Sequence, residues 1–342
     1  MGKIKFLVVG CGHIGKRHAT MITENPETEV VGLVDIQPKE KLGLEEFNAP
    51  FFNTVEEFLE KGIDFDIASI CTPNGLHTEQ SIQILSQNKH VLCEKPLGLT
   101  KNNCENVIFK SLQMSKQVFC VMQNRYSPPS QWIKSVVDKG LLGEIYMVQI
   151  NCYWNRDERY YKKNSWKGTQ DLDGGTLFTQ FSHFIDIMYW LFGDINNIKG
   201  KFADFSHKEL TEFEDSGFVS FDFIQGGMGS INYSTAVAHQ NLESSITIVA
   251  EKGSVKIGGQ YMNEVEICDI EGYEMPELAP TNPGNDYGAY KGSAANHHYV
   301  IQNVVDTIKG KNVATTNALE GLKVVEIIER IYKVRDEQIN TH

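Results

Sequence analysis

The sequence predicts an α/β protein of two domains. A doubly wound parallel sheet comes first, and an α+β domain with an open, mostly antiparallel sheet follows. Three observations predict this. Short apolar runs alternate with helix-period stretches over the first third of the chain. Longer runs of period-two alternation, separated by glycine turns, fill the middle. The length, 342 residues, is that of two domains rather than one.

In the first domain, 1–122, strands are expected at 4–9, 29–35, 65–71, 90–93 and 118–122. Helical spacing of apolar residues near 14–24, 54–61, 76–87 and 100–115 places helices between them. The strands are apolar almost without a break, as burial on both faces of a parallel sheet demands. The second domain, 123–342, opens after a break at Ser127-Pro128-Pro129 with a helix over 130–139, and Gly140 and Gly143 bracket a turn. Alternating strands are expected at 144–154, 198–205, 216–224, 228–235, 244–250, 253–258 and 263–270. Gly226-Gly227 and Lys252-Gly253 are hairpin signals. Phe221, Phe223, Ile231 and Tyr233 are read as the face offered to a second subunit, which gives a homodimer or homotetramer through this sheet. Residues 272–292, rich in Gly, Pro, Tyr and Asn, read as a long loop over the site.

Composition excludes several classes. There are 32 Lys plus Arg against 44 Asp plus Glu, for a formal net charge of −12. Such acidity argues against a nucleic-acid or membrane partner. No apolar run has the shape of a signal peptide or the length of a membrane span. Seven cysteines without a CxxC pair read as buried thiols in a reducing, cytoplasmic setting, and no metal site is expected.

The chemistry begins at Gly10-Cys11-Gly12-His13-Ile14-Gly15, between the first strand and the first helix. Gly10 suits the tight turn, Gly12 lets a pyrophosphate approach the backbone, and Gly15 lets helix and strand pack closely. That is the dinucleotide fingerprint of a Rossmann domain, with the phosphates on the helix N-terminus. Asp35 closes the second strand, where a carboxylate accepts from a ribose 2′-hydroxyl and repels a 2′-phosphate, so NAD is expected rather than NADP. Thr72-Pro73-Asn74 follows the next central strand and should line the cofactor cleft, with His77 capping a helix or touching ligand. Glu94-Lys95-Pro96 ends a buried strand. An ammonium there can stabilise negative charge growing on a substrate oxygen.

A second concentration lies between 153 and 186. Tyr153, Trp154, Arg156, Arg159, Tyr160, Tyr161, Lys163, Trp166 and Lys167 mix aromatic faces with cations, which suits a sugar, a base or a phosphate. Gly174-Gly175 opens a helix over 177–191, on which His183 and Asp186 stand three apart and share a face. A histidine oriented by a carboxylate is a general acid/base pair.

These residues together resemble the glucose-fructose oxidoreductase / inositol dehydrogenase / MocA family. The carrying motifs are Gly10-x-Gly12-x-x-Gly15-x-x-His18, Thr72-Pro73-Asn74-x-x-His77, Glu94-Lys95-Pro96, and Gly174-Gly175 followed by His183-x-x-Asp186. The resemblance implies a pyridine nucleotide, oxidation of a sugar or cyclitol hydroxyl, Lys95 beside the nicotinamide, and a cis bond into Pro96. Many members carry an aspartate four residues before the histidine; this chain has Thr179, so base work would fall on His183 helped by Lys95. The run Tyr160-Tyr161-Lys162-Lys163-Asn164-Ser165-Trp166-Lys167-Gly168, with Leu177-Phe178-Thr179-Gln180-Phe181-Ser182-His183, is similar to UDP-N-acetylglucosaminuronate 3-dehydrogenases of surface-polysaccharide synthesis. Phe181-Ser182 departs from the Gly-aliphatic pair common there.

The resemblance so implies Lys95 and His183 as catalytic residues. Gly10, Gly12, His13, Ile14, Gly15 and Asp35 would hold the cofactor, as would Thr72, Pro73, Asn74, His77, Glu94, Lys95 and Gln123. Substrate binding would fall to Arg125, Arg156, Lys163, Trp166, Thr179 and Gln180. The expected reaction is oxidation at C3 of a UDP-linked N-acetylated uronic acid. The alternatives are a free sugar or inositol dehydrogenase, a non-catalytic NAD-sensing regulator, and glycoside cleavage through transient oxidation at C3.

Overall fold

The computed structural model describes residues 2–163, 165–288 and 290–339. Asn164 of the aromatic run lies outside the described residues. The chain forms two compact units: residues up to Met122 with His297–Val325, and Gln123–Asn296 with the chain from Glu326 on.

The first unit is built on six strands: β1 (Ile4–Val9), β2 (Thr28–Val34), β3 (Phe51–Phe52), β4 (Ile67–Ile70), β5 (His90–Cys93) and β6 (Val118–Cys120). They lie in the order β3-β2-β1-β4-β5-β6. Every pair is parallel. The order reverses at β1 and β4, which makes the carboxyl ends of those two strands the place for a ligand. The helices between them are α1 (His13–Glu24), α2 (Lys39–Leu42), α3 (Val55–Glu60), α4 (His77–Ser86) and α5 (Lys101–Met114). Thr54 and Thr100 start α3 and α5 by accepting from the backbone N–H of Glu57 and Asn103, each at 3.2 Å.

The second unit carries α6 (Pro128–Asp138) and α7 (Ser182–Phe192). Its main sheet has β7 (Ile145–Tyr153), β8 (Ile195–Ala203), β9 (Ser216–Phe223), β10 (Met228–Ser234), β11 (Glu243–Ala250), β12 (Gly253–Gly258) and β13 (Glu264–Ile270). The order is β13-β12-β11-β7-β10-β9-β8, and only the β7/β10 pair is parallel. A hairpin of β14 (Gly284–Asp286) and β15 (Lys291–Ala294) lies within the segment read as a loop. α8 (His297–Ile308) and α9 (Ala318–Ile339) end the chain.

Two expectations are corrected here. The proposed division at 122/123 misses that 297–325 returns to the first unit. Polar bonds tie α8 there: Lys309 bonds Glu27 at 2.6 Å, and Gln302 accepts from Asn25 at 3.0 Å. The partner face was read one residue out of step. Phe221, Phe223, Ile231 and Tyr233 are buried, and Phe218, Met147 and Met228 are exposed. In a strand successive side chains alternate faces, so one covered face sends its neighbours outward. The covered face packs on α7. Phe223 lies 5.4 Å from Phe192 of α7, and Tyr233 lies 5.7 Å from Phe181 in the turn just before it.

Candidate active site

In the first unit the glycine turn closes β1. Gly10 has φ +82°, and a Cβ on it would stand 2.7 Å from the Thr72 nitrogen, so this turn and the one after β4 touch. A Cβ on Gly15 would lie 1.8 Å from the Gly10 carbonyl oxygen, which only glycine avoids. A Cβ on Gly12 would meet nothing within 4 Å. The backbone is thus open where a pyrophosphate would approach. His13 begins α1 and is exposed, and Ile14 is half-buried beside it.

Asp35 is fastened to the same turn. Its Oδ2 accepts from the Cys11 N–H at 2.7 Å and its Oδ1 from the Gln37 N–H at 2.8 Å. Burial, then the Asp35 charge, pushes the Cys11 thiol up, so it stays protonated. The open Gly12, the anchored acid and the reversal of strand order fit NAD. Glycine turn and Asp35 would hold it there.

Pro73 is half-buried and Asn74 buried in the turn after β4. His77 is wholly buried at the start of α4. Its Nδ1 lies 2.7 Å from the Pro96 oxygen and its Nε2 2.9 Å from the Thr72 oxygen. Carbonyls only accept, so holding both needs both ring protons. Burial outweighs the two carbonyls and lowers the ring's pKa, so the neutral ring donates to one of them at a time. His77 therefore sits between the turn after β4 and the one at Pro96. The Lys95–Pro96 peptide is cis, as the resemblance implied. Lys95 is half-buried, and its backbone N–H donates to Glu94 Oε2 at 3.2 Å.

In the second unit, Gly174 and Gly175 take φ +85° and +134°. A Cβ on Gly175 would strike the Tyr332 hydroxyl at 2.5 Å. That hydroxyl accepts the Leu177 N–H at 2.8 Å. The expected single helix is instead a π-helical turn, Leu177–Phe181, followed by α7. Such widened turns gather at functional sites. His183 is buried on the first turn of α7, 3.3 Å from the Gln123 amide, which also donates to Ser293 Oγ at 3.0 Å.

Asp186, expected to orient His183, is gripped by Arg125. Nε donates to Oδ2 at 2.8 Å and an Nη to Oδ1 at 2.6 Å. Arg125 is 0% exposed, so this forked pair lies inside the fold. Arg156, 2% exposed, is likewise interior. It donates to Gln180 Oε1 at 2.7 Å, Asn241 Oδ1 at 3.2 Å and the Lys291 oxygen at 3.0 Å. Its guanidinium also lies 4.8 to 5.2 Å from the Trp154, Tyr160 and Tyr290 ring centres. Gln180 passes the network on, donating to the Tyr160 hydroxyl at 2.7 Å.

Lys167 shares this aromatic cage. Its ammonium sits 3.8 Å over the Tyr160 ring, and burial brings its pKa down to about 8. Thr179 donates to the Asp173 carboxylate, Lys163 is exposed, and Trp166 is half-buried. Sequence reasoning left out Tyr290, Lys291 and Ser293 of the 272–292 region and its border. Tyrosine and asparagine crowding in that stretch was the only signal.

Residues 4–121 match the family described as "Oxidoreductase family, NAD-binding Rossmann fold", and residues 130–256 match the "GFO/IDH/MocA C-terminal domain". The chain belongs to the GFO/IDH/MocA oxidoreductase family and carries its NAD-binding Rossmann domain. It is similar to the WlbA dehydrogenase from Bordetella pertussis, solved with NADH and UDP-GlcNAcA, at 30% identity over 98% of this chain and 97% of that one, with TM-score 0.87. The WlbA enzyme from Chromobacterium violaceum, in the same complex, matches at 30% identity over 98% and 95%, with TM-score 0.87. The D-glucoside 3-dehydrogenase of Escherichia coli K12 is 22% identical over 96% of this chain and 95% of its own. This is an NAD-dependent dehydrogenase of the sugar-oxidising type. Among the described residues, no helix is long and apolar enough to cross a membrane.

Proposed function

We propose that the enzyme oxidises the C3 hydroxyl of a UDP-linked N-acetylated uronic acid. The observation that carries this is full-length similarity to two enzymes solved with NADH and UDP-GlcNAcA, beside which the half-buried Lys167 offers a cation over an aromatic ring. Burial lowers the proton affinity of Lys167. A half-buried cation held this way favours an anionic substrate over a neutral sugar.

His183, whose Nε2 lies 3.3 Å from the Gln123 amide, takes the proton of the reacting hydroxyl as that hydroxyl replaces the amide at Nε2. Lys95 stabilises the oxygen as negative charge grows on it. NAD, when bound, supplies the acceptor for the hydride that the carbinol carbon gives up. The glycine turn and Asp35 hold it in register. The half-buried Trp166 and exposed Lys163 reach the sugar-nucleotide. The outer face of the second sheet, with Phe218, Met147 and Met228, is where a second copy packs.

The test is NADH formation with UDP-GlcNAcA, UDP-GlcNAc, free glucuronate and inositol as parallel substrates. Turnover with UDP-GlcNAcA, slowed by deuterium at C3, is the expected result. Turnover with inositol or free glucuronate and none with UDP-GlcNAcA would replace this reading by the free-sugar one. A protein that binds NAD and turns over none of the four would point to a sensor.

A further inference from the structure

A buried charged cluster in the first unit has no part in the chemistry above. His18 of α1, Glu94 after β5 and His297 at the start of α8 meet there, with their ligand-type atoms within 4.8 Å of one another. Glu94 Oε1 lies 2.9 Å from His18 Nε2 and 3.5 Å from His297 Nε2. Its Oε2 accepts the backbone N–H of Lys95. His18 Nδ1 is bonded to Ser69 Oγ on β4 at 2.7 Å. His297 Nδ1 is buried and meets no hydrogen-bond partner among the described residues, so its proton sits on Nε2, facing the carboxylate.

Burial opposes charge at all three. It pushes His297 down, leaving that ring neutral. At His18 it is outweighed by Cys71 and Glu94, which hold the ring up to about 10. Glu94 stays far below the usual carboxylate range, despite burial, because both histidines bond it. One imidazolium and one carboxylate thus offset each other inside the unit.

An ion cluster of this kind is a poor source of stability, since desolvation cancels much of the attraction. Its geometry has another outcome. The Glu94 N–H makes the strand bond, to the Ile70 oxygen at 2.9 Å, and the next amide, that of Lys95, is caught by the Glu94 side chain. One residue on, the Pro96 oxygen is held by His77. We propose that His18 and His297 are positioning residues for Lys95, acting through the Glu94 carboxylate. This rests on the reading of Lys95 as the group at the reacting oxygen. A reacting group misplaced by an ångström loses about a hundredfold in rate.

The experiment compares His18→Leu and His297→Leu with His18→Gln and His297→Gln. Glutamine keeps an N–H donor for the carboxylate; leucine does not. Two readouts are taken. One is kcat and KM for NAD with UDP-GlcNAcA. The other needs no substrate: the rate at which an amine reagent labels Lys95, by mass spectrometry, against exposed Lys139 in the same sample. The leucine variants are expected to lose about tenfold or more in kcat, with KM for NAD within about twofold. Lys95 labelling should change by roughly threefold or more with Lys139 unmoved, and glutamine should restore most of both.

Leucine variants that fold and keep wild-type kcat and Lys95 labelling would overturn the proposal. So would a raised KM for NAD at unchanged kcat. Should leucine prevent folding, the glutamine variants decide: near-normal labelling and kcat support the donor role, and a loss as deep as that of Glu94→Ala refutes it. A shifted Lys95 label in a protein whose wild type ignores UDP-GlcNAcA would uphold the positioning and defeat the substrate assignment instead.

Discussion

Replacing Lys167 by methionine removes a charge that the second unit holds against its surroundings. The ammonium lies 3.8 Å from the Tyr160 ring centre, 5.1 Å from that of Tyr290, and bonds the Tyr290 hydroxyl at 3.2 Å. Burial nonetheless outweighs the pull of Asp173 and brings its pKa from 10.5 to about 8. A drop of that size corresponds to about 3 kcal/mol against the charged form. The attraction between the ammonium and the two ring faces, absent in the variant, offsets about 1 to 2 kcal/mol of that. Lys167→Met is therefore expected to stabilise the second unit by about 1 to 2 kcal/mol near neutral pH.

The sign with pH follows from proton counts. Below about pH 8 the amine is charged in both states and the penalty is complete. Between about 8 and 10.5 the unfolded chain binds the proton and the folded one does not, so wild type gains stability as pH rises. Above 10.5 the difference between the two proteins should be gone or reversed. Urea unfolding followed by tryptophan fluorescence reads this directly. Trp132, Trp154, Trp166 and Trp190 are all the tryptophans of the chain, and all lie in the second unit. A variant less stable than wild type by the same amount at neutral and high pH would refute the argument and make the aromatic cage a net source of stability.

Two further outcomes are expected. Lys95→Ala should lose about a thousandfold in turnover while NADH still binds, measured by its fluorescence; a rate near wild type would remove the lysine from the chemistry. Asp186→Asn leaves the Arg125 guanidinium buried beside a neutral amide and should lower stability by about 3 to 5 kcal/mol, seen in the same tryptophan transition. An unchanged midpoint would mean that water reaches Arg125.

Most of the architecture was legible because its signals are local. The strands are apolar or alternating runs ending at turn residues, and the predicted 4–9, 90–93 and 253–258 coincide with Ile4–Val9, His90–Cys93 and Gly253–Gly258. The short edge strand Phe51–Phe52 carries too few residues to show a period. Which side of β9 is covered was not legible, because Phe218 and Phe221 are the same residue type on opposite faces and only α7 distinguishes them. Arg125 and Arg156 read as ligand-facing because cations are rarely interior. Asp186 and the carbonyl-lined cage that make them interior come from distant parts of the chain. His297 carried no local mark at all, since its partner Glu94 lies on the far side of Gln123–Asn296 in sequence.

That threading has a bearing on how the molecule is made. β6 is not finished by its own neighbours: Phe119 bridges to Asn317, and the Cys120 N–H donates to the Thr316 oxygen at 3.1 Å. On a ribosome the nucleotide-binding half emerges early, yet its outer strand and the second imidazole for Glu94 wait until nearly the whole polypeptide is out. A nascent fragment ending at Met122 would carry a raw sheet edge and a half-neutralised interior acid. Chain-terminated intermediates should therefore be the species that chaperones hold longest.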